Sequence, residues 1–301
     1  MIMKTRYFKL VTVCLLAVSL FASCLGDLDT LPLDDNELTG EMVYSTPEGY
    51  IGMIAKCYAA LIQTGQKGGD GGDGDVSGID EGYSWLPTRA LFYLQEACTD
   101  EIVFQSGGSK GVRAMLYLNW DASTEIVGYP YYRLFMTINY CNEFLRECTE
   151  SKLQERGVYE ALKDEYQYYC AEARFIRAYS YSMLCDLYGS TPFVDETMEV
   201  GDMPEQATRE EIYNFVVSEL EELTTLLKEP QKNEYARVDR VAAWFLLSRV
   251  YLNAETWVGK NEYTNAYKYA KTRSHTDGFQ RNNAKCLDEK GISRFVPHSS
   301  I

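Results

Sequence analysis

The sequence predicts a mainly α-helical protein. Apolar residues recur three or four positions apart along the chain, strand patterns are almost absent, and helix start and stop signals flank the apolar segments. The strongest segment runs from Glu165 to Val194, where Gly189 offers a C-terminal cap and Pro192 prevents the helix from resuming. Small and apolar side chains share one face of it: Tyr166, Tyr169, Ala173, Ile176, Ser180, Met183 and Leu187. We expect this long packing helix to organise the rest of the chain.

Two spacings indicate stacked helical repeats. Ala171, Phe175 and Ala178 have the A-x3-F-x2-A spacing of the second helix of a tetratricopeptide unit. A second echo of the two-helix pattern comprises Leu247, Tyr251, Tyr263 and Ala266. These spacings favour a tetratricopeptide-like helical scaffold, and an irregular helical bundle remains the alternative.

Composition excludes some classes of function. A chain of 301 residues with 46% hydrophobic residues can bury a substantial core. Its formal net charge of −15 repels phosphate backbones, so we expect no nucleic-acid partner.

The N-terminus has the layout of an export signal. Basic residues precede an apolar run from Leu10 to Ala22, which is too short to span a bilayer because a spanning helix needs about 20 residues. The run ends in Phe-Ala-Ser-Cys, which resembles a bacterial lipobox and predicts lipidation of Cys24. The alternative is a cysteine that happens to end the signal. We therefore expect a lipoprotein signal peptide at 1–23 and a lipidated, extended tether at 24–45.

A helical domain is predicted for residues 46–271. Its first helix starts with Thr46 as N-cap and Pro47 in the first turn. The apolar face predicted for it comprises Ile51, Ile54, Ala55, Tyr58, Leu61 and Ile62. A second helix is predicted from about Tyr131 to Cys148.

Two further helices are predicted after the central one. The capping box Thr208-x-x-Glu211 starts the first of them, with an apolar face that comprises Ile212, Phe215, Val216, Leu220 and Leu223. The apolar face of the second comprises Val238, Val241, Ala242, Phe245 and Leu252.

Binding residues are expected on a loop. Tyr83 and Trp85 lie among turn residues, where aromatic side chains lack an obvious packing role. The preceding Gly- and Asp-rich segment lacks the full ligand spacing of a calcium loop, and we interpret it as an exposed loop.

Catalysis and metal binding are not expected. No histidine occurs before His275, which excludes Ser-His-Asp and Cys-His arrangements and His-containing zinc sites from the helical domain. The cysteines show no CxxC pair, and those in helical patterns are expected to be small buried hydrophobes. Asp100 and Glu101 are adjacent, so they are a poor pair for glycoside hydrolysis. We therefore predict no catalytic residue, no metal and no cofactor.

Several motifs, in order, resemble one known family over residues 1 to about 271. They are the lipobox, TPEGYIGMIAKCYAAL, GIDEG followed by Arg89, TDE at 99–101, AEARFIRAYSYSMLCDLYGSTPFV, ATREEIYNFVVSELEEL and VAAWFLLSRVYLNAE. Together they resemble the N-terminal part of the SusD/RagB family, the nutrient-binding outer-membrane lipoproteins of Bacteroidetes. The resemblance implies a tetratricopeptide-like scaffold, a lipid anchor facing the exterior and no catalysis. It also implies that the protein pairs, as a lid, with a SusC-like TonB-dependent transporter of oligosaccharides or peptides.

The resemblance adds two candidate site residues. Arg89 matches the family's loop arginine, which can reach sugar hydroxyls. Family members that bind starch place a Trp shortly after TDE, whereas this chain offers only Phe104 there. The predicted ligand-binding residues are therefore Tyr83, Trp85, Arg89 and Phe104, and the resemblance implies a glycan ligand without indicating starch.

The C-terminal residues 272–301 differ from the rest. They contain five Lys or Arg against three Asp or Glu, and they hold both histidines of the chain. Family chains are considerably longer, so we expect a frameshift or premature end that truncates the scaffold, a disordered tail, and a copy that fails as a lid. A variable surface tail is the alternative reading of this segment. For the whole chain, a helical-repeat lipoprotein that binds peptides or assembles membrane proteins is the alternative function.

The lipobox generates a direct prediction. Replacing Cys24→Ala should abolish membrane anchoring, because the thiol that carries the acyl chains is removed. Labelling cells with an alkynyl fatty acid measures this. Label retained by the variant would contradict lipidation at Cys24.

Overall fold

The structure is a computed structural model that describes residues 39–63, 76, 89–103, 111–198 and 201–274. Its helices, in chain order, are α1 Gly40–Val43, α2 Pro47–Ala59, α3 Ala90–Gln95, α4 Val112–Leu116, α5 Glu125–Glu147, α6 Glu150–Glu155, α7 Tyr159–Leu162, α8 Tyr166–Leu187, α9 Arg209–Leu226, α10 Arg240–Val258 and α11 Tyr263–Ser274. Two short strands, β1 Thr191–Pro192 and β2 Gln206–Ala207, form an antiparallel pair. The fold is mainly α, as predicted.

The chain divides into two units, of which the first ends at Thr46. Its described part contains α1, where the Thr39 hydroxyl caps the helix by accepting from the Met42 N–H at 3.3 Å. Residues 40–43 are therefore helical, although the sequence predicted an extended segment up to residue 45. The predicted signal peptide and the predicted lipidation site Cys24 lie outside the described residues.

The second unit begins at Pro47, where the sequence predicted the first long helix to start. The buried residues of α2 are Tyr50, Ile54 and Cys57. Ile51, Ala55 and Ile62 belong to the predicted apolar face, and all three are exposed. Apolar residues lie on adjacent faces of α2, so periodicity alone could not identify the buried face. Tyr50 and Cys57 occupy the core together with Ile54.

Helix α8 matches its prediction closely and lies at the centre of the unit. It spans Tyr166–Leu187, and Gly189 follows with φ +79° and donates its N–H to the Leu184 carbonyl at 3.1 Å. Helix α5 packs on one part of its surface and α9 on another. Nearly every side chain from Ala171 to Cys185 is consequently buried.

The long helices pack in sequence, each against the next: α5 on α8, α8 on α9, α9 on α10 and α10 on α11. This is the arrangement of a tetratricopeptide-like scaffold. Most residues of the predicted repeat spacings are buried, namely Ala171, Phe175, Ala178, Leu247, Tyr251 and Ala266. Tyr263 is exposed. The capping box of α9 is also present, with Glu211 accepting from the Thr208 N–H at 2.7 Å.

Two predictions about helices were wrong. Helix α5 begins at Glu125 rather than near Tyr131, and it includes Pro130 in its second turn. Helix α10 buries Ala243, Leu246, Leu247, Val250, Tyr251 and Ala254, whereas Phe245 and Leu252 of the predicted face are exposed. Apolar residues lie around most of α10, so periodicity could not identify the face that packs.

Helix α11 extends to Ser274, three residues beyond the predicted domain end at 271. The remainder of the predicted tail lies outside the described residues. Among the described helices, none combines the length and apolar character needed to cross a membrane.

A buried carboxylate ties three parts of the unit together. Glu172 on α8 has no solvent exposure, and its side chain accepts two hydrogen bonds from the Arg237 guanidinium, at 2.6 and 3.1 Å. Its other donors are the Tyr58 hydroxyl on α2, at 2.7 Å, and the Asn233 amide, at 3.0 Å. The Tyr58 oxygen in turn accepts from the Val238 N–H at 3.0 Å. Burial, with the Glu172 charge beside it, raises the pKa of Tyr58, which keeps this hydroxyl a donor.

Arg174 and Arg177, which lie in the same Glu-Ala-Arg-Phe-Ile-Arg motif as Glu172, bind residues outside α8. Arg174 pairs with Glu219 on α9 at 2.6 Å. Arg177 is buried, pairs with Glu196, and donates to the Asn142 amide oxygen on α5 at 2.9 Å. The charged residues of Glu-Ala-Arg-Phe-Ile-Arg thus connect α8 to its neighbours.

We expect Glu172→Gln to lower the free energy of unfolding by about 3 kcal/mol, because it removes the buried charge that pairs with the half-buried Arg237 guanidinium and leaves that guanidinium only its pair with the exposed Glu234. The matched control is Glu160→Gln, which removes an exposed pair with Lys163 on the surface. Urea denaturation measures both variants. Equal stabilities of the two variants would contradict the structural role of Glu172.

Candidate functional site

The structure places one of the four predicted ligand-binding residues. Arg89 is exposed and immediately precedes α3. Tyr83, Trp85 and Phe104 lie outside the described residues, so their grouping with Arg89 stays a prediction.

A small, separate hydrophobic core supports the described segments that follow Trp85 and lie on both sides of Phe104. It consists of Ala97, Val112, Met115 and Ile126, with Tyr93, Leu94 and Val127 packed against it. These residues come from α3 and the turn after it, from α4 and from the start of α5. The core therefore fixes the described segments that flank Trp85 and Phe104 in the sequence to the long helix α5.

Gly111 allows α4 to approach α5 closely. It has φ +76°, and a Cβ atom built there would lie 2.6 Å from the Ile126 Cγ2 atom. A side chain at this position would be strained and would also clash, because both the backbone conformation and the space require glycine.

Four large aromatic side chains on these elements are exposed: Phe92 on α3, Tyr117 and Trp120 after α4, and Tyr132 on α5. We call this set the aromatic surface, a name that refers to their shared exposure on these neighbouring segments and not to contact between the rings. Tyr117 is 69% exposed and Trp120 is 44% exposed. Exposed rings can lie against the C–H faces of sugars or against other partly apolar ligands, so this surface has the chemistry of a binding site.

The turn that carries Trp120 is held by its own hydrogen bonds. The Asp121 carboxylate accepts from the Ser123 N–H at 2.8 Å and from the Ser123 hydroxyl at 2.6 Å. These bonds hold the pKa of Asp121 below its usual value, so the side chain is charged, and all of them are accepted by Oδ1, which leaves Oδ2 as an acceptor for a ligand. Leu118 has φ +53°, a conformation that is uncommon for residues other than glycine and that often marks functional sites.

Sequence reasoning missed the aromatic surface. Trp120 stands among Asn119, Asp121 and Ser123, the same mixture of aromatic and turn residues that singled out Tyr83 and Trp85. The signal was therefore present, and the structure adds that the ring is exposed.

A cavity of about 350 Å³ lies between α5 and the chain after β1. Its polar lining is engaged internally: the Asn142 amide nitrogen donates to the Val194 carbonyl at 3.2 Å, and Arg146 donates to Glu143 at 2.9 Å. Groups already bonded in this way gain little from a ligand. The aromatic surface is therefore the better candidate site.

The described residues contain no cluster suited to metal binding. Within the described ranges, no three His, Cys, Asp or Glu side chains come together as a possible metal site. Asp100 and Glu101 are both exposed.

Comparisons with known proteins identify relatives of the chain. A family model named SusD-like and described as "Starch-binding associating with outer membrane" matches residues 82–252. Starch-binding protein SusD of Bacteroides thetaiotaomicron is 34% identical over 271 residues, which make up 89% of this chain and 45% of that protein. The chain thus spans less than half the length of this curated relative.

Solved structures support the fold. A SusD superfamily protein from Bacteroides thetaiotaomicron superposes with a TM-score of 0.59 at 19% identity, over 77% of this chain and 47% of that one. Surface glycan-binding protein A from Bacteroides fluxus superposes with a TM-score of 0.52 at 20% identity, over 70% of this chain and 41% of that one.

Gly111→Ala should destabilise the protein more than Gly157→Ala does. Both glycines have positive φ, so each alanine costs about 1–2 kcal/mol in backbone strain. Only Gly111 lacks space for a Cβ, which adds about 1–3 kcal/mol of overpacking, whereas nothing lies within 4 Å at Gly157. Urea denaturation of both variants measures the difference. Equal losses would mean that α4 does not pack on Ile126 as closely as described.

Proposed function

Since the chain belongs to the SusD-like family, whose members are binding proteins associated with the outer membrane, we propose that it binds glycans at the cell surface. In this proposal it is anchored through lipidated Cys24 and acts as the lid and partner of a SusC-like TonB-dependent transporter. Because the chain covers 45% of the relative SusD, the proposal concerns the part of the site that these residues can supply.

The aromatic surface is the observation that carries the proposal. Tyr117 and Trp120 are exposed, and the charged Asp121 and the exposed Asn119 are their neighbours in the sequence. A sugar offers C–H faces to the rings and hydroxyl donors to a carboxylate or amide oxygen. Arg89, exposed at the start of α3, adds hydrogen-bond donors on an element of the same small core.

The proposed ligand class is an oligosaccharide, with a peptide as the second candidate. The relative SusD is named as starch-binding, and α-glucans therefore belong among the ligands to be tested. The Trp that starch-binding members place after TDE is replaced here, where Phe104 is the one aromatic residue between 102 and 110. We therefore propose glycan binding without assigning starch.

The anchoring and the transporter partnership rest on the lipobox and on family membership. The net charge of −15 argues against a nucleic-acid partner. The alternative is a lipoprotein that faces the periplasm and binds peptides or assembles membrane proteins. Protease shaving of intact cells distinguishes the two, because only an outward-facing protein would be lost.

We also propose that the protein has no catalytic activity. The helical domain lacks histidine, and the adjacent Asp100 and Glu101 are exposed rather than set across a cleft. A turnover assay on the glycans that bind would reveal hydrolysis if this view were wrong.

Trp85→Ala and Trp120→Ala should each weaken glycan binding. Loss of one well-packed ring costs on the order of 1–3 kcal/mol, about one to two decades in affinity. Calorimetric titration of the purified chain with α-glucan, β-glucan, mannan and xylan oligosaccharides measures the change.

Tyr235→Ala is the matched control, because Tyr235 is a fully exposed aromatic residue in the loop between α9 and α10. It should leave affinity unchanged. If Trp85→Ala leaves affinity unchanged, Trp85 lies outside the site, and if Trp120→Ala does so, the aromatic surface is not part of it.

A further inference from the structure

Four cysteines form two pairs around helix α5. Burial and the neighbouring Cys57 thiol on α2 raise the pKa of the Cys141 thiol on α5. Seven residues further along, the Cys170 thiol on α8 lies beside the Cys148 thiol at the end of α5 and donates to the Cys148 carbonyl oxygen at 3.3 Å. All four are free thiols in the structure. Two contacts between thiols offer two places where a disulfide could form.

The two pairs differ in access. Cys57 and Cys141 have no solvent exposure, so an oxidising protein cannot reach either sulfur in the folded chain. Cys170 is only half-buried. Its Sγ atom lies 3.3 Å from the carbonyl oxygen of Cys148, which places it directly against the backbone of its partner.

We propose that Cys148 and Cys170 form a disulfide bond when the chain is outside the cytoplasm. The bond would join the C-terminus of α5 to the second turn of α8 and close the segment that carries α6 and α7. The inference rests on the proposed export to the cell envelope for its oxidant, because disulfides persist in such compartments.

The reaction is a thiol–disulfide exchange with a protein disulfide of the envelope oxidoreductase class. The Cys170 thiolate attacks one sulfur of the oxidant, forms a mixed disulfide, and displaces the oxidant's other sulfur as a thiolate. The Cys148 thiolate then attacks the Cys170 sulfur and displaces the remaining oxidant sulfur. Two thiols of the chain lose two protons and two electrons, and the oxidant gains both as its two thiols.

The order of attack follows from the environment of Cys148. The neighbouring Cys170 thiol and burial raise the pKa of the Cys148 thiol, which disfavours its thiolate. Cys148 is also buried whereas Cys170 is half-buried, so the oxidant reaches the Cys170 sulfur first. Cys170 is therefore the entry point and Cys148 the resolving thiol.

The bond would stabilise the most constrained part of the fold. Cys170 lies two residues before the buried Glu172, and Cys148 follows Glu147, which pairs with Lys152 and Arg156. Closing a loop of 22 residues restricts the unfolded chain, so reduction should lower the melting temperature by roughly 5–10 °C.

Peptide mapping tests the bond directly. Tryptic cleavage at Arg146, Lys152, Lys163 and Arg174 places Cys148 in peptide 147–152 and Cys170 in peptide 164–174. The full chain is taken from the envelope fraction after alkylation of free thiols, and separately as purified folded chain equilibrated with glutathione disulfide. We expect the two peptides linked in both samples and separated by dithiothreitol.

The purified sample tests whether Cys148 and Cys170 can form the bond even if the chain is not exported. Failure of the bond and failure of the proposed location therefore remain distinguishable. Cys98→Ser is the matched control, because Cys98 is half-buried and outside both pairs. It should keep the linked peptides and the drop in melting temperature on reduction, and Cys170→Ser should lose both. Alkylation of both cysteines in the folded, glutathione-treated chain, or in chain recovered from the envelope, would overturn the proposal.

Discussion

The buried carboxylate of Glu172 is the constraint on which the rest of the structure depends. A charge without solvent exposure is stable only if donors surround it, and this one receives hydrogen bonds from Arg237, Asn233 and Tyr58. Those donors lie on α2 and on the loop between α9 and α10. The network therefore forms only when α8 is in register with both, and it holds α2 and the α9–α10 loop against α8.

The charged motif Glu-Ala-Arg-Phe-Ile-Arg on α8 thus stabilises the scaffold. Glu172, Arg174 and Arg177 each form an ion pair with a residue outside α8. The exposed rings of Tyr117 and Trp120 belong instead to short elements that have a small core of their own. A rigid scaffold that carries variable binding segments allows one fold to accept different ligands, because the segments can change without disturbing the buried charges.

The features that the sequence predicted correctly depend on local signals. The bounds of α8 follow from its apolar spacing and Gly189, and the start of α9 follows from its capping box, since each involves residues within one or two helical turns. The core face of α10 could not be predicted, because apolar residues surround that helix. The partners of Glu172 lie 61 to 114 residues away, and no local pattern connects them. No local pattern connects Cys148 and Cys170 either. Trp120 could be recognised as a site candidate only once its exposure was known.

In the proposed function, ligand binding occurs on the aromatic surface while the charged residues of α8 hold the scaffold. Hydrogen–deuterium exchange of the full chain, with and without an oligosaccharide that binds, tests this most directly. The account predicts slower exchange in residues 89–103 and 111–124 on binding, with no change in α8. Protection confined to α8, or to the cavity lined by Asn142 and Arg146, with residues 111–124 unaffected, would contradict it.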